Sequence, residues 1–143
     1  MIETPLTRYA LSIARNAHAG QTDKAGRPYI EHPLHVAESM DTEAETCAAL
    51  LHDVVEDTDW TLEALADEGM PTEVIEALSL LTHDPSVDYL DYVRKIKTNP
   101  IAAKVKAADL RHNSDLTRLP NVTEKDVKRL DKYSKALAIL EQP

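Results

Sequence analysis

The chain has no phenylalanine, one cysteine, one tryptophan and three glycines in 143 residues. A lone cysteine, Cys47, excludes an internal disulfide and any Cys-rich zinc or iron–sulfur site, and it fits a reducing, cytoplasmic setting. Gly20, Gly26 and Gly69 are too scattered to build a phosphate-cradling loop. Positive charge is short as well: 16 Lys and Arg stand against 25 Asp and Glu, a net charge of −9. That balance argues against nucleic acid or an anionic membrane surface as a general partner. No apolar run approaches the length of a membrane span, and the N-terminal segment does not read as a secretory signal.

What is present reads as helix almost throughout. Leu6, Tyr9, Ala10, Ile13, Ala14 and Ala17 recur at helical spacing, with Thr4 as cap, Pro5 at the first position and Gly20 as a stop. A polar loop covers residues 21–27, and Pro33 opens a short helix ending near Met40. Thr42 with Glu45 has the spacing of a capping box for a third helix over 43–57. Thr61, Thr72, the segment after Pro85-Ser86, Asn99-Pro100 and Thr123 with Asp126 mark five more. On the last helix Val127, Leu130, Ser134, Leu137 and Leu140 share a side. No stretch alternates as a strand would. The expectation is one all-α domain over 1–143, built of about eight short helices.

Six histidines invite a search for a metal site. In LLHDVVEDT, a continuous helix would place His52, Asp53, Glu56 and Asp57 at about 0°, 100°, 40° and 140°. That is one polar stripe, opposite Ala48, Leu51 and Val55. Packed acids repel unless something neutralises them, and a divalent cation would. Imidazole and carboxylate together suit Mn²⁺, Fe²⁺ or Zn²⁺. The dipeptide alone is weak evidence: His83-Asp84, just before Pro85, is a second one and reads as a helix end. The stripe is stronger, because no Lys or Arg interrupts it between Cys47 and Trp60.

A second polar row holds Lys106, Asp109 and Asn113. Asp109 can be a distant ligand, with Lys106 and Asn113 near a substrate; the plainer alternative is a surface Lys–Asp pair. His32 stands where a loop enters a helix, a place that is common for functional groups but not diagnostic. His112 reads as a satisfied core or boundary histidine, His18 and His35 as structural or loop-ordering, Cys47 as a small core residue, and Trp60 as core or helix-start packing.

Three ordered segments, AHAGQTDKAGRPYIEHPLHVA, ALLHDVVEDT and KAADLRHN, together resemble the HD-domain (p)ppGpp hydrolases, the RelA/SpoT hydrolase domain and the stand-alone small alarmone hydrolases. The resemblance runs from about Leu6 to Leu119. It implies an HD-type helical fold and one divalent cation, usually Mn²⁺, held by His32, His52, Asp53 and Asp109. It assigns Glu56 and Asp57 to the attacking water and Asn113 to the nucleotide. The implied reaction removes the 3′-pyrophosphate of (p)ppGpp, leaving GDP or GTP and pyrophosphate. Lys24, Arg27, Lys106 and Arg111 are then the nearest cations for the phosphates.

The chain departs from the family at two places. Asp23-Lys24 stands where Arg-Lys is usual, and HNSDLTRL replaces HNMRTL, which puts Asp115 where a basic residue is usual and Thr117 one place late. These departures touch the substrate side and leave the metal residues intact. They motivate a second reading, an HD phosphohydrolase acting on another nucleotide or nucleotide-like phosphate. A third reading, a non-catalytic nucleotide-sensing module, is opposed by the presence of both Glu56 and Asp57.

Overall fold

The computed structural model describes residues 1–142, and among these every regular element is helical. The order is α1 (Pro5–Ala17), α2 (Glu31–Glu38), α3 (Glu43–Leu51), α4 (Val54–Asp57), α5 (Leu62–Asp67), α6 (Thr72–Leu81), α7 (Tyr89–Ile96), α8 (Pro100–Asn113) and α9 (Glu124–Glu141), with a 3₁₀ turn at Leu116–Arg118. The one extended pairing is an isolated bridge between Thr22 and Pro28. No helix among the described residues is long and apolar enough to cross a membrane.

The caps explain where the helices begin. Thr4 and Thr7 form a reciprocal capping box with Pro5 at the first position of α1. Thr61 and Asn99 each accept the amide three residues on. Thr123 and Asp126 close a complete box on α9. At α3 only half of the expected box forms. Thr42 accepts from the Glu45 amide, but the Glu45 carboxylate goes to the Asp41 amide and the Lys104 ammonium.

All eight expected helical segments are present, with two corrections of outline. The second begins at Glu31 rather than Pro33. The third is two helices, α3 and α4, because the chain breaks at His52 and Asp53. At the break the His52 ring bonds the Ala49 carbonyl at 2.6 Å.

α3 is the middle of the fold. Thr46, Cys47, Ala48, Ala49, Leu50 and Leu51 are all buried, so this helix has no solvent face over its second half. It packs against α1, α2, α6 and α8, and its small residues let those neighbours approach closely. Around it the core takes Ala10, Ile13 and Ala14 from α1, Val36 and Ala37 from α2, Val74 and Leu78 from α6, and Val105 and Leu110 from α8. α9 lies outside, against α7 and α8. Its buried face is not quite the expected one. Ala136 is buried while Val127 and Ser134 are exposed; Tyr9 of α1 is likewise exposed and bonds Glu68.

Leu50 is fully buried on this central helix. Leu50→Ala is expected to lower stability by about 2–5 kcal/mol in urea unfolding. A loss below about 1 kcal/mol would contradict the central place given to α3.

Candidate metal centre

The C-terminal end of α3 carries the site. Its last turn has no basic residue, so the partial negative charge of its terminal carbonyls is left for a cation to meet. His52 caps the helix there. Its Nδ1 donates to the Ala49 carbonyl at 2.6 Å, which puts a ring proton on Nδ1 and turns Nε2 to the cluster, where its lone pair takes a second proton or a cation. Nε2 is buried and has no hydrogen-bond partner among the described residues. Two carboxylate oxygens nevertheless crowd it, Asp53 Oδ2 at 3.0 Å and Asp109 Oδ1 at 3.6 Å.

His32 arrives from the first turn of α2, and Asp109 from the buried face of α8. His32 Nε2 lies 2.8 Å from Asp109 Oδ1 and 3.9 Å from Asp53 Oδ2. Donor atoms of His32, His52 and Asp109 lie within 4.8 Å of one another, and all three residues are buried. Asp53 borders this trio, its Oδ2 fixed by the Tyr29 hydroxyl at 2.5 Å. Two imidazoles and two carboxylates thus converge from three parts of the chain on one point. A lone pair and two carboxylates facing each other in a buried place call for a positive charge between them, and this donor set fits a divalent cation.

The electrostatics agree. Burial opposes charge on the His52 ring, but the Asp53 and Asp109 carboxylates outweigh it and hold its pKa well above the usual histidine value. Burial likewise opposes charge on Asp109, yet the Lys106 ammonium and the His32 and His52 rings pull its pKa well below the carboxylate range. Lys106 is no surface residue. Its side chain is 14% exposed, its Nζ is 3.1 Å from Asp109 Oδ2, and it lies over the rings of Tyr89 and Tyr92.

The stripe expected from a continuous helix is corrected by the break at His52. Asp53 sits beside His52, whereas Glu56 and Asp57 follow on the separate turn α4 and are exposed. Glu56 Oε1 accepts from the His83 amide at 2.6 Å. The Asp57 pKa is raised, by partial burial and by its acidic neighbours Asp53 and Glu56. The His83-Asp84 pair lies past the end of α6, with the His83 ring on the Val87 carbonyl.

Beside the cluster is a cavity of about 370 Å³, lined among others by Lys24, Tyr29, Asn113, Arg118, Arg129 and Tyr133. Tyr29 and Asn113 join it to the cluster: the first donates to Asp53, the second to Asp109 Oδ1 at 3.0 Å. Lys24 reaches 3.6 Å from Asp126. Arg27 stands apart, paired with Glu31 on the rim of a neighbouring groove, and Arg111 turns away to Glu141. Asp23 and Asp115 border the cavity but are engaged by their own loops. Asp23 accepts the Ala25 and Arg27 amides, and Asp115 caps the 3₁₀ turn through Thr117.

Sequence reasoning missed several participants. Tyr29 precedes His32 by one helical turn, yet it belongs to a loop whose path no periodicity reveals. Arg129 and Tyr133 come from α9, whose approach to α8 is purely tertiary. Arg118 lies against His112, which is half-buried rather than a core residue, and His112 meets both His32 and His35. Burial and the neighbouring charges lower the His112 pKa to about 4. His18 is buried, bonds Gln21 and packs on Tyr29, so it orders the loop that carries Tyr29.

Comparison with known proteins points the same way. Residues 10–112 match the HD domain family. The guanosine-3′,5′-bis(diphosphate) 3′-pyrophosphohydrolase of Haemophilus influenzae is 46% identical over 76 residues, 48% of this chain and 11% of that protein. The bifunctional (p)ppGpp synthase/hydrolase SpoT of Escherichia coli is 46% identical over 81 residues, 52% of this chain and 11% of its own length. A probable GTP pyrophosphokinase of Mycobacterium leprae is 35% identical over 122 residues, 76% of this chain and 15% of that one. The chain therefore spans only 11–15% of the length of these relatives. A solved structure described as a metazoan ortholog of SpoT that hydrolyzes ppGpp superposes with a TM-score of 0.78 at 25% identity, covering 99% of this chain and 88% of that one. With the helices, the buried His/Asp cluster and a match that runs from α1 to the end of α8, this chain belongs to the HD domain family.

Proposed function

We propose that this chain is a divalent-metal-dependent phosphohydrolase that removes the 3′-pyrophosphate of (p)ppGpp, giving GDP or GTP and pyrophosphate. The observation that carries this reading is the junction of cluster and cavity. Tyr29 and Asn113 each line the cavity and each hold a cluster carboxylate, so a molecule in the cavity abuts the cluster. At about 370 Å³ the cavity is of small-molecule size. The relatives named for this reaction, and the structure described as hydrolysing ppGpp, support the choice of substrate.

His32, His52, Asp53 and Asp109 are the ligands in this reading; their mixed nitrogen and oxygen donors suit Mn²⁺, Fe²⁺ or Zn²⁺, and the resemblance to the (p)ppGpp hydrolases selects Mn²⁺ among them. When bound, such an ion polarises a phosphoryl oxygen and makes water more acidic. The protein's own groups do the rest. Asp57, its pKa raised, accepts the proton of the attacking water. Glu56, held by the His83 amide, orients that water. Attack on the phosphorus attached to the 3′ oxygen breaks that P–O bond; the 3′ oxygen takes a proton from solvent and leaves as the hydroxyl, diphosphate is released, and Asp57 gives the proton it accepted back to solvent. Lys106, close to Asp109 and nearly buried, offsets the charge that grows on the phosphate oxygens. Lys24 and Asn113 hold the nucleotide from the cavity wall, and Arg27 meets phosphate only from the rim. Residues 1–143 act as one catalytic domain in the cytoplasm, where Cys47 stays reduced.

Incubation of the Mn²⁺-loaded protein with guanosine tetraphosphate, with products separated by anion exchange, is expected to yield GDP and pyrophosphate in equal amounts. An untouched guanosine tetraphosphate beside turnover of another nucleotide would overturn the substrate assignment. Glu56→Gln is expected to lower kcat by roughly 10²–10⁴-fold while calorimetry still finds the metal bound; full activity would remove Glu56 from the reaction. For the ligands, Mn²⁺ at 100 times its Kd is expected to stabilise the wild-type protein by about 2.7 kcal/mol. His52→Ala and Asp109→Ala should abolish that gain, and an unchanged gain in either variant would refute the ligand set.

A further inference from the structure

We propose that His112 is a positioning residue for the metal centre: it accepts the Nδ1 proton of His32 and so holds His32 in the tautomer whose Nε2 can bind a cation. The inference rests on the reading of His32 as a ligand and goes further by naming what makes it one.

A histidine that ligates through Nε2 must carry its proton on Nδ1, and that proton needs an acceptor. For His52 the acceptor is the Ala49 carbonyl. For His32 the atom facing Nδ1 is Nδ1 of His112, at 2.7 Å. The two rings are 10° from parallel with centroids 5.0 Å apart. That separation is too long for face-to-face contact given a 2.7 Å approach of the two nitrogens, so the rings meet edge to edge, along the lone-pair direction. On its other side His32 presents Nε2 to Asp109 Oδ1 at 2.8 Å, inside the cluster. One ring thus spans from the cluster to His112.

The surroundings of His112 keep it as an acceptor. Arg118 Nη1 is 3.0 Å from both ring nitrogens of His112, which places it over the ring rather than in line with either lone pair. The same atom donates to the His112 carbonyl at 3.2 Å. A guanidinium so placed lies out of the ring plane, so the Nδ1 lone pair, which lies in that plane, points to His32. The His35 ring stacks on His112 with centroids 3.9 Å apart and restrains its rotation. His35 and Arg118 therefore hold His112, and His112 holds His32. A neutral imidazole here does the work that a carboxylate or a backbone carbonyl does behind most ligating histidines, and it does so without adding to the negative charge of the cluster.

The test compares the wild-type protein with His32→Ala, His112→Phe and His112→Asn. Mn²⁺ affinity is measured by calorimetry, and ring tautomers by long-range ¹H–¹⁵N correlation on the Zn²⁺-loaded wild-type protein. His112→Phe keeps a flat ring but has no acceptor, and is expected to weaken Mn²⁺ binding about 10–100-fold. His112→Asn places an amide oxygen where Nδ1 was, and is expected to recover most of the affinity. The wild-type spectrum is expected to show the His32 proton on Nδ1. Binding by His112→Phe within about twofold of wild type overturns the proposal while leaving the metal site standing. So does a His32 proton on Nε2 in the loaded wild-type protein, a measurement that does not depend on any variant folding. Equal binding by wild type and His32→Ala overturns the ligand reading itself, and the proposal with it.

Discussion

The bond from His52 Nδ1 to the Ala49 carbonyl is one short contact with three consequences. It caps the central helix where its ladder of backbone bonds breaks. It places Asp53 beside His52 and sends Glu56 and Asp57 off on a separate turn. It also fixes the His52 tautomer, so that the free lone pair faces the carboxylates. Because α3 is enclosed by α1, α2, α6 and α8, its end cannot shift without moving the core. The site inherits the rigidity of the most buried helix in the fold, as a preorganised centre must.

That placement creates an electrostatic problem which the neighbouring elements answer in part. Asp53 and Asp109 are held close together and largely buried. Lys106 and the Tyr29 hydroxyl each reach one of them, and the cation-attracting end of α3 lies between. Both rings are donors of lone pairs, so the remaining need is for positive charge, which a proton on His52 or a metal ion would meet. The acidity of the whole chain is thus partly local and partly answered: some of the −9 is gathered around a point built to hold a cation.

Much of this was legible in the sequence. The helical periodicity, the Thr and Asn caps and the Pro starts are local, and they appear where expected because local hydrogen bonds set them. His52 and Asp53 stood out on a polar stripe free of Lys and Arg, Asp109 stood in a polar row with Lys106 and Asn113, and the resemblance to a known family added His32. The break at His52 was not legible, since periodicity counts residues as though the ladder of backbone bonds were intact. Nor was the role of His112. It follows Asp109 by three residues and reads as a boundary histidine, and only the packing of α2 against α8 brings His32 to it. Tyr29, Arg118 and Arg129 depend likewise on how loops and α9 close over the cluster.

The acidic departures at Asp23 and Asp115 take on a different weight in three dimensions. Near an anion site, an aspartate opposes binding in proportion to the charge it leaves free. Asp23 spends its carboxylate on two backbone amides of its own turn, which Gly26 closes with a positive φ of 80°. Asp115 spends its carboxylate on Thr117, and its pKa is lowered by those bonds. Asp126, a third acid at the cavity, is held by the Thr123 cap and flanked by Lys24 and Arg129. All three carboxylates are therefore parts of the wall, tied to amides, hydroxyls or cations that lie along it. Lys24, by contrast, keeps half of its side chain in solvent, and its ammonium is free to leave Asp126 for a stronger anion. A multiply charged phosphate offers that anion, and the exchange costs little because the Lys24 end of the pair is half in solvent and Asp126 keeps Arg129 and the Thr123 cap. The acids in the wall thus shape the cavity and park its mobile cation, so their presence is compatible with a phosphate-bearing guest.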